Sequence, residues 1–347
     1  ALAIIDSDPG GFPGSTCEEL VELMDAQLRA FRTLNPAAEL IYWMWLGWEH
    51  INRFHAATAA GDEASMLAED NAEEFTRTLA LLRDRVAEPW WLYHCRTLHD
   101  GPIDALGLRD RALWFPYGLL EGEPTFPLIN CDVPALAAGL APERLARCGR
   151  GVMGNLQNHA LQLPHTLALA HLAHGGTPAS LDLTAAAEDL LPGLGETLAR
   201  GWRAIASRDP DRMRAAMPAL RAAVGRPHRP GRLAGLLFGD PDRFLTDLAM
   251  NLAVRAALET LPAAPDRLPA LRRTLAVLRP YQQRLGFADA FYGPLADALF
   301  PALTPLKDPA IADALRVITT WHAPELRNGS LVRLLDAVEE YCQRETR

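Results

Sequence analysis

The sequence predicts an α/β segment followed by an all-α one: the C-terminal half of a (β/α)8, TIM-type barrel over residues 1–176, then a helical bundle over 177–347. Three observations predict it. Short apolar runs alternate with helical stretches through the first part, a pattern that builds parallel sheets with helical crossovers. Several of those runs are apolar at every position, as strands covered on both faces must be. From about Thr177 strand-like runs cease, and alanine, leucine and arginine recur at helical spacing.

The elements follow in order. Ala1 to Ile5 reads as a buried parallel strand that breaks into Asp6-Ser7-Asp8-Pro9-Gly10-Gly11. Ser15 or Thr16 caps a helix that carries Glu18 and Glu19 in its first turn, runs to about Thr33 and is ended by Asn35-Pro36. Leu40 to Leu46 is the second strand, ending in Gly47-Trp48-Glu49-His50, and a long helix fills about Asp62 to Ala87. Trp90 to His94 is the third strand, with His99-Asp100-Gly101 beyond it. Arg111 to Phe115 or Thr125 to Asn130 supplies the fourth, and Gly151 to Met153 the last, leading through residues 154–159 into a helix ending near Gly175-Gly176. That makes about five strands, where a closed barrel has eight, so three or four βα units are expected upstream of Ala1. An open doubly wound sheet is the competing fold. The second part is expected to hold about six to eight helices, with proline-rich breaks at 226–230, 262–265 and 301–309.

Composition narrows the function classes. Length alone leaves room for two domains at about 150 residues each, and 49% hydrophobic with 22% charged residues is ordinary globular composition. No apolar run approaches the roughly 20 residues that span a bilayer, so no membrane partner is expected. A net charge of −9 argues against nucleic acid, whose binding needs a clustered basic face. The basic residues are almost all arginine, Lys307 being the one lysine, and alanine abounds, a bias of GC-rich bacterial genomes. Five scattered cysteines without C-x-x-C spacing indicate neither a zinc site nor a disulfide framework. No leader sequence, cofactor motif or internal repeat is read from the chain.

In a barrel the active site forms beyond the carboxyl ends of the strands, and polar residues are dense there. Asp6 and Asp8 stand two apart, which on extended chain points both carboxylates to one face. Glu49 and His50 follow the second strand, His94, His99 and Asp100 the third, Asn130 and Asp132 the fourth, and Asn155, Gln157, Asn158 and His159 the last. Six of eight tryptophans (Trp43, Trp45, Trp48, Trp90, Trp91 and Trp114) fall in or beside strands. Indole rings stack on the C–H faces of sugars, although barrel layers need bulk as well, and about half of these rings are expected to be packing. Trp48, beyond the strand and next to Glu49, is the best platform.

The stretch Ser7-Asp8-Pro9-Gly10-Gly11, the tryptophan-rich strand after Asn35-Pro36, and Arg150 to His159 with Gln162-Leu163-Pro164 resemble bacterial TIM-barrel glycoside hydrolases of the β-hexosaminidase-like kind. The resemblance covers about the first 175 residues. It implies a strand-end general acid, matched here by Asp8, and chemistry in which the substrate's own acetamido group can serve as nucleophile. No Asp-Glu pair of the hexosaminidase type is read at the strand ends.

Glycoside hydrolysis needs two carboxyl groups about 5 to 10 Å apart, or one plus a substrate amide. Strands lie about 4.8 Å apart, so Asp8 and Glu49 are expected as proton donor and partner, in either order, with Asp6 orienting. Trp48, Trp45, His50, His94, Asp100, Asn155, Gln157 and His159 are expected to hold the sugar. Two other readings stand beside this one. His50, His94 and Asp132 have the placement of metal ligands in amidohydrolase barrels, and a barrel that binds sugar without turnover is the non-enzymatic alternative.

Overall fold

The computed structural model describes residues 2–5, 14–44, 47–50, 71–94, 97–115, 128, 136–138, 140–154, 160–285, 294–319 and 329–346, with backbone alone for 2–5, 294–297 and 317–319. By its internal contacts the chain forms two units, Ala1–Tyr117 with Gly139–Gly154, and Gly118–Ala138 with Asn155–Arg347.

The first unit is built on a five-stranded sheet whose spatial order equals its order in the chain: β1 (Leu2–Ile5), β2 (Leu40–Met44), β3 (Trp90–His94), β4 (Ala112–Trp114) and β5 (Gly151–Val152). Every neighbouring pair is parallel. Between the strands lie helices α1 (Cys17–Leu34), α2 (Ala72–Arg85), α3 (Asp100–Ala105) and α4 (Pro142–Leu145). Helix α1 begins where the sequence says it should. Of the two expected caps, Thr16 is the one used: it accepts from the Glu19 N–H while the Glu19 side chain accepts from the Thr16 N–H, at 2.8 Å, a reciprocal cap. Of the two candidates for the fourth strand, the segment at 112–114 lies in the sheet, and 125–130, apart from Leu128, lies outside the described residues.

Register divides the sheet into two unlike faces. Leu40, Tyr42 and Met44 align with Trp90, Leu92 and His94, and Leu92 and His94 with Ala112 and Trp114. All eight are buried. The other face carries Ile41, Trp43, Trp91, Tyr93 and Leu113, of which Tyr93 alone is buried. Trp43, Tyr93 and Phe115 cluster there, with ring centroids 5.0 and 5.3 Å from Trp43. Trp91 on the same face donates to Glu39 at 3.0 Å and lies under the Arg150 guanidinium at 3.6 Å. The fully buried face carries helices: Phe75 of α2 packs edge-on against His99, whose ring lies 5.9 Å from His94.

The second unit is helical among its described residues: α5 (Leu163–Ala173), α6 (Leu183–Leu190), α7 (Gly195–Ala206), α8 (Pro210–Ala223), α9 (Pro241–Thr260), α10 (Arg267–Leu285), α11 (Pro294–Leu303), α12 (Pro309–Thr319) and α13 (Ser330–Arg344). Helix α9 serves two cores. Its Phe244, Leu245, Leu248 and Leu252 join Trp202, Met213 and Leu220, together with Leu161 and Leu163. Its Val254 and Leu258 join Leu271, Tyr281, Leu303 and Leu334, together with Leu128. Residues on both sides of the expected boundary at 176 thus share one core. Two of the proline-rich stretches separate helices, α8 from α9 and α9 from α10. Pro301 instead lies inside α11, and the chain leaves that helix just after it.

Trp202 is fully buried in the first of these cores, so Trp202→Ala is expected to remove about 3–5 kcal/mol of unfolding free energy, read as a lowered midpoint at unchanged slope in urea denaturation.

Candidate functional site

Because all five strands are parallel, their carboxyl ends emerge along one edge: Ile5 lies beside Trp43, Met44 beside His94, His94 beside Trp114, and Trp114 beside Val152. Asp6, Asp8, Trp45, Asn130, Asp132, Asn155, Gln157, Asn158 and His159 lie outside the described residues. Trp48, Glu49, His50, His94, His99 and Asp100 are within them.

The end of β2 is held by α2. Residues 48–50 are helical, and a helix start leaves its first N–H groups without internal partners. The Glu74 carboxylate fills that need, accepting from the Glu49 N–H at 2.9 Å and the His50 N–H at 3.0 Å. The Cys17 thiol also donates to it, at 3.8 Å. Glu74 is 7% exposed. It comes so close that a Cβ at Gly47 would stand 2.4 Å from its Oε1, and Gly47 has φ +87°, so this position requires glycine twice over.

Glu49 is fixed in turn. Its carboxylate accepts from the backbone N–H of Cys17, the first residue of α1, at 3.0 Å, and pairs with Arg77, one turn after Glu74 on α2. Burial opposes ionisation of Glu49, but the Cys17 N–H and the Arg77 guanidinium outweigh it and hold the group below the usual glutamate range. Trp48 is half-buried, and its indole N–H donates to Ser15 Oγ at 2.8 Å. Glu74 and Arg77 are neighbours of the candidate residues that sequence reading misses, and Ser15 is read there only as a helix cap. The acidic pair Glu73-Glu74 reads as the ordinary first turn of a helix, and nothing local says that one member reaches residues 25 positions upstream.

The histidines lie deeper than their strand-end positions suggest. His50 and His94 are each 1% exposed and His99 is fully buried. His94 sits on the helix-covered face, with Cys148 Sγ 3.7 Å from its Nε2 and Trp114 edge-on at 5.2 Å. Asp100 is held by Arg144 at 2.6 Å and Arg147 at 3.8 Å, and Arg144 also covers the Trp114 ring at 4.4 Å. Among the described residues no three His, Cys, Asp or Glu side chains converge as a metal-binding group, and no helix is long and apolar enough to cross a membrane. No protein-family model, characterised protein or solved structure matches the chain.

Two outcomes are expected. Gly47→Ala should cost about 2 kcal/mol or more, since it adds a collision with Glu74 to the left-handed backbone strain. Gly14→Ala has φ +84° but open space around its Cβ and should cost about 1 kcal/mol; equal losses in chemical denaturation would remove the Glu74 contact from the account. Burial pushes the Cys17 thiol up to about 12 and the Cys148 thiol up to about 11. Since the thiolate is the reactive form, neither should be alkylated by iodoacetamide at pH 8 until the protein is unfolded, as read by peptide mass spectrometry.

Proposed function

We propose that the chain is a glycosidase acting on a glycan or amino-sugar glycoside, with its site beyond the carboxyl ends of the strands and the sheet forming part of a TIM-type barrel wall. The observation that carries this reading is the singly wound order of five parallel strands. A barrel wall adds each strand on the same side of the last, whereas a doubly wound sheet reverses direction at a switch point. Helices against one face and aromatic rings on the other fit an outer helical layer around an inner face. Trp43 lies near the carboxyl edge of that inner face and offers apolar surface to a sugar, and Trp48, tied down by Ser15, is a rigid second platform.

The surroundings of Glu49 sort the two carboxylate roles. Glu49 is held by Arg77 and the Cys17 N–H, which suits the fixed partner, and Asp8, three residues after β1 in the chain, takes the part of general acid. Glu49 is the fixed anion that opposes the positive charge developing on the sugar ring, and Asp6 orients its neighbour. Trp45 and Asp100 are further candidates to hold the sugar. His50 and His94 support this surface from beneath.

On an aryl glycoside that the protein accepts, Asp8→Asn is expected to lower kcat by about 10²- to 10⁴-fold, and Glu49→Gln to lower it at least tenfold. Unchanged turnover by both variants on every accepted glycoside would end this assignment.

A further inference from the structure

In the helical unit, α11 ends at Leu303, a single 3₁₀ turn follows over Thr304–Leu306, and α12 starts at Pro309. Between these three elements lies a cavity of about 320 Å³ walled by Phe300, Leu303, Ala312 and Leu315. Leu303 and Leu315 belong to the core that also holds Tyr281 and Leu334, so its floor is set by packed side chains. Small-molecule sites span roughly 300–1,000 Å³, and this one stands at the small end. Its mouth carries two cations, Lys307 and Arg316. Arg316 shares its charge with Asp313 at 2.7 Å. Asp308, also at the mouth, is neutralised by Arg344 and accepts the Ala310 and Ile311 N–H groups at the start of α12. Among the described residues the Lys307 ammonium has no hydrogen bond or ion pair, which leaves it the uncompensated charge at an apolar opening.

Two features set Lys307 apart. Of the 34 lysines and arginines in the chain it alone is lysine. It also has φ +55°, the left-handed conformation in which helical turns usually end on glycine. Glycine fills nine other positions of positive φ among the described residues. Arg208, a charged exception at φ +53°, has a task for its side chain in the two-pronged pair with Glu259. Lys307 occupies the same strained backbone with no such partner among the described residues. A lysine ammonium is a compact point charge on a flexible stem, suited to a single carboxylate at a narrow opening.

We propose that this cavity is a binding site for a medium-chain monocarboxylate, with the hydrocarbon tail between Phe300, Leu303 and Leu315 and the carboxylate on Lys307. Burial of the tail supplies most of the affinity, and the ammonium selects an acid over an alcohol or an amine of the same length. The site lies within the helical unit and does not depend on the glycosidase reading.

The probe is sodium octanoate below its micelle-forming concentration, read by melting temperature and by acetylation of Lys307 with an N-hydroxysuccinimide ester. Because the chain has one lysine, peptide mass spectrometry reports on this position directly. Octanoate is expected to raise the melting temperature saturably and to slow acetylation of Lys307. Acetate, octan-1-ol and octylamine at equal concentration should have far smaller effects. Lys307→Gly keeps the turn without strain, and its affinity for octanoate should fall about tenfold or more through loss of the charged contact. Ala312→Trp, at an exposed position on the cavity wall, should abolish the response by filling the space. No saturable rise in wild type, an equal response to octan-1-ol or octylamine, or undiminished octanoate affinity in either folded variant overturns the proposal. A rise in melting temperature that leaves Lys307 acetylation unchanged overturns it as well, because the octanoate is then bound elsewhere.

Discussion

A carboxylate placed inside a protein is costly unless donors surround it, and Glu74 turns that requirement into an organising constraint. Its donors come from residues 49 and 50 and from Cys17, so one side chain of α2 gathers the end of β2 and the beginning of α1. Arg77, one turn along the same helix, then binds the Glu49 side chain whose backbone Glu74 already holds. The position of Glu49 is therefore determined from both its main chain and its side chain by a single turn of α2. The same rigidity leaves Gly47 no room for any side chain.

What was legible in the sequence was local. The helix start at Ser15 or Thr16, the apolar strands and the alternation of strand with helix all express interactions within a few residues, and they appear where the pattern puts them. The Glu74 network joins segments 25 and 57 positions apart and leaves no trace in spacing. The depth of His94 is an intermediate case. Its strand-end position suggests exposure, yet the two-residue alternation of a strand puts it on the face of Trp90 and Leu92, both fully buried. Parity outweighs position once the covered face is known. The tryptophans divide by the same rule: Trp90 and Trp114 belong to the buried face, and Trp43 and Trp91 to the other.

The helical unit carries its own polar constraint. Along α9, Asp247, Asn251, Arg255 and Glu259 recur every fourth residue, and the first three are buried. Asp247 pairs with Arg284, Asn251 donates to the Tyr281 hydroxyl at 2.8 Å, and Arg255 reaches Glu259 at 3.4 Å. Glu259 also accepts two hydrogen bonds from Arg208. Burial, opposed in part by the Asn251 hydrogen bond, pushes the Tyr281 hydroxyl above the ordinary tyrosine range, so it remains a neutral partner in this row. Apolar surface alone would let α9 and α10 slide by a turn, whereas a displaced row would strand buried polar groups.

Leu128, in the stretch between β4 and β5, is 2% exposed in a core with Val254, Leu258 and Tyr281, and Leu161 and Leu163 share another with Trp202 and Leu248. The helical unit is thus assembled from two separate lengths of chain, with residues 139–154 between them returning to the sheet. No single scission yields two intact halves. A fragment starting at residue 177 would lack three leucines from two interiors and expose the apolar walls they cover, and the piece left behind would carry those leucines bare. The two parts are interleaved along the chain rather than strung end to end, so any dissection that respects their interiors has to cut more than once.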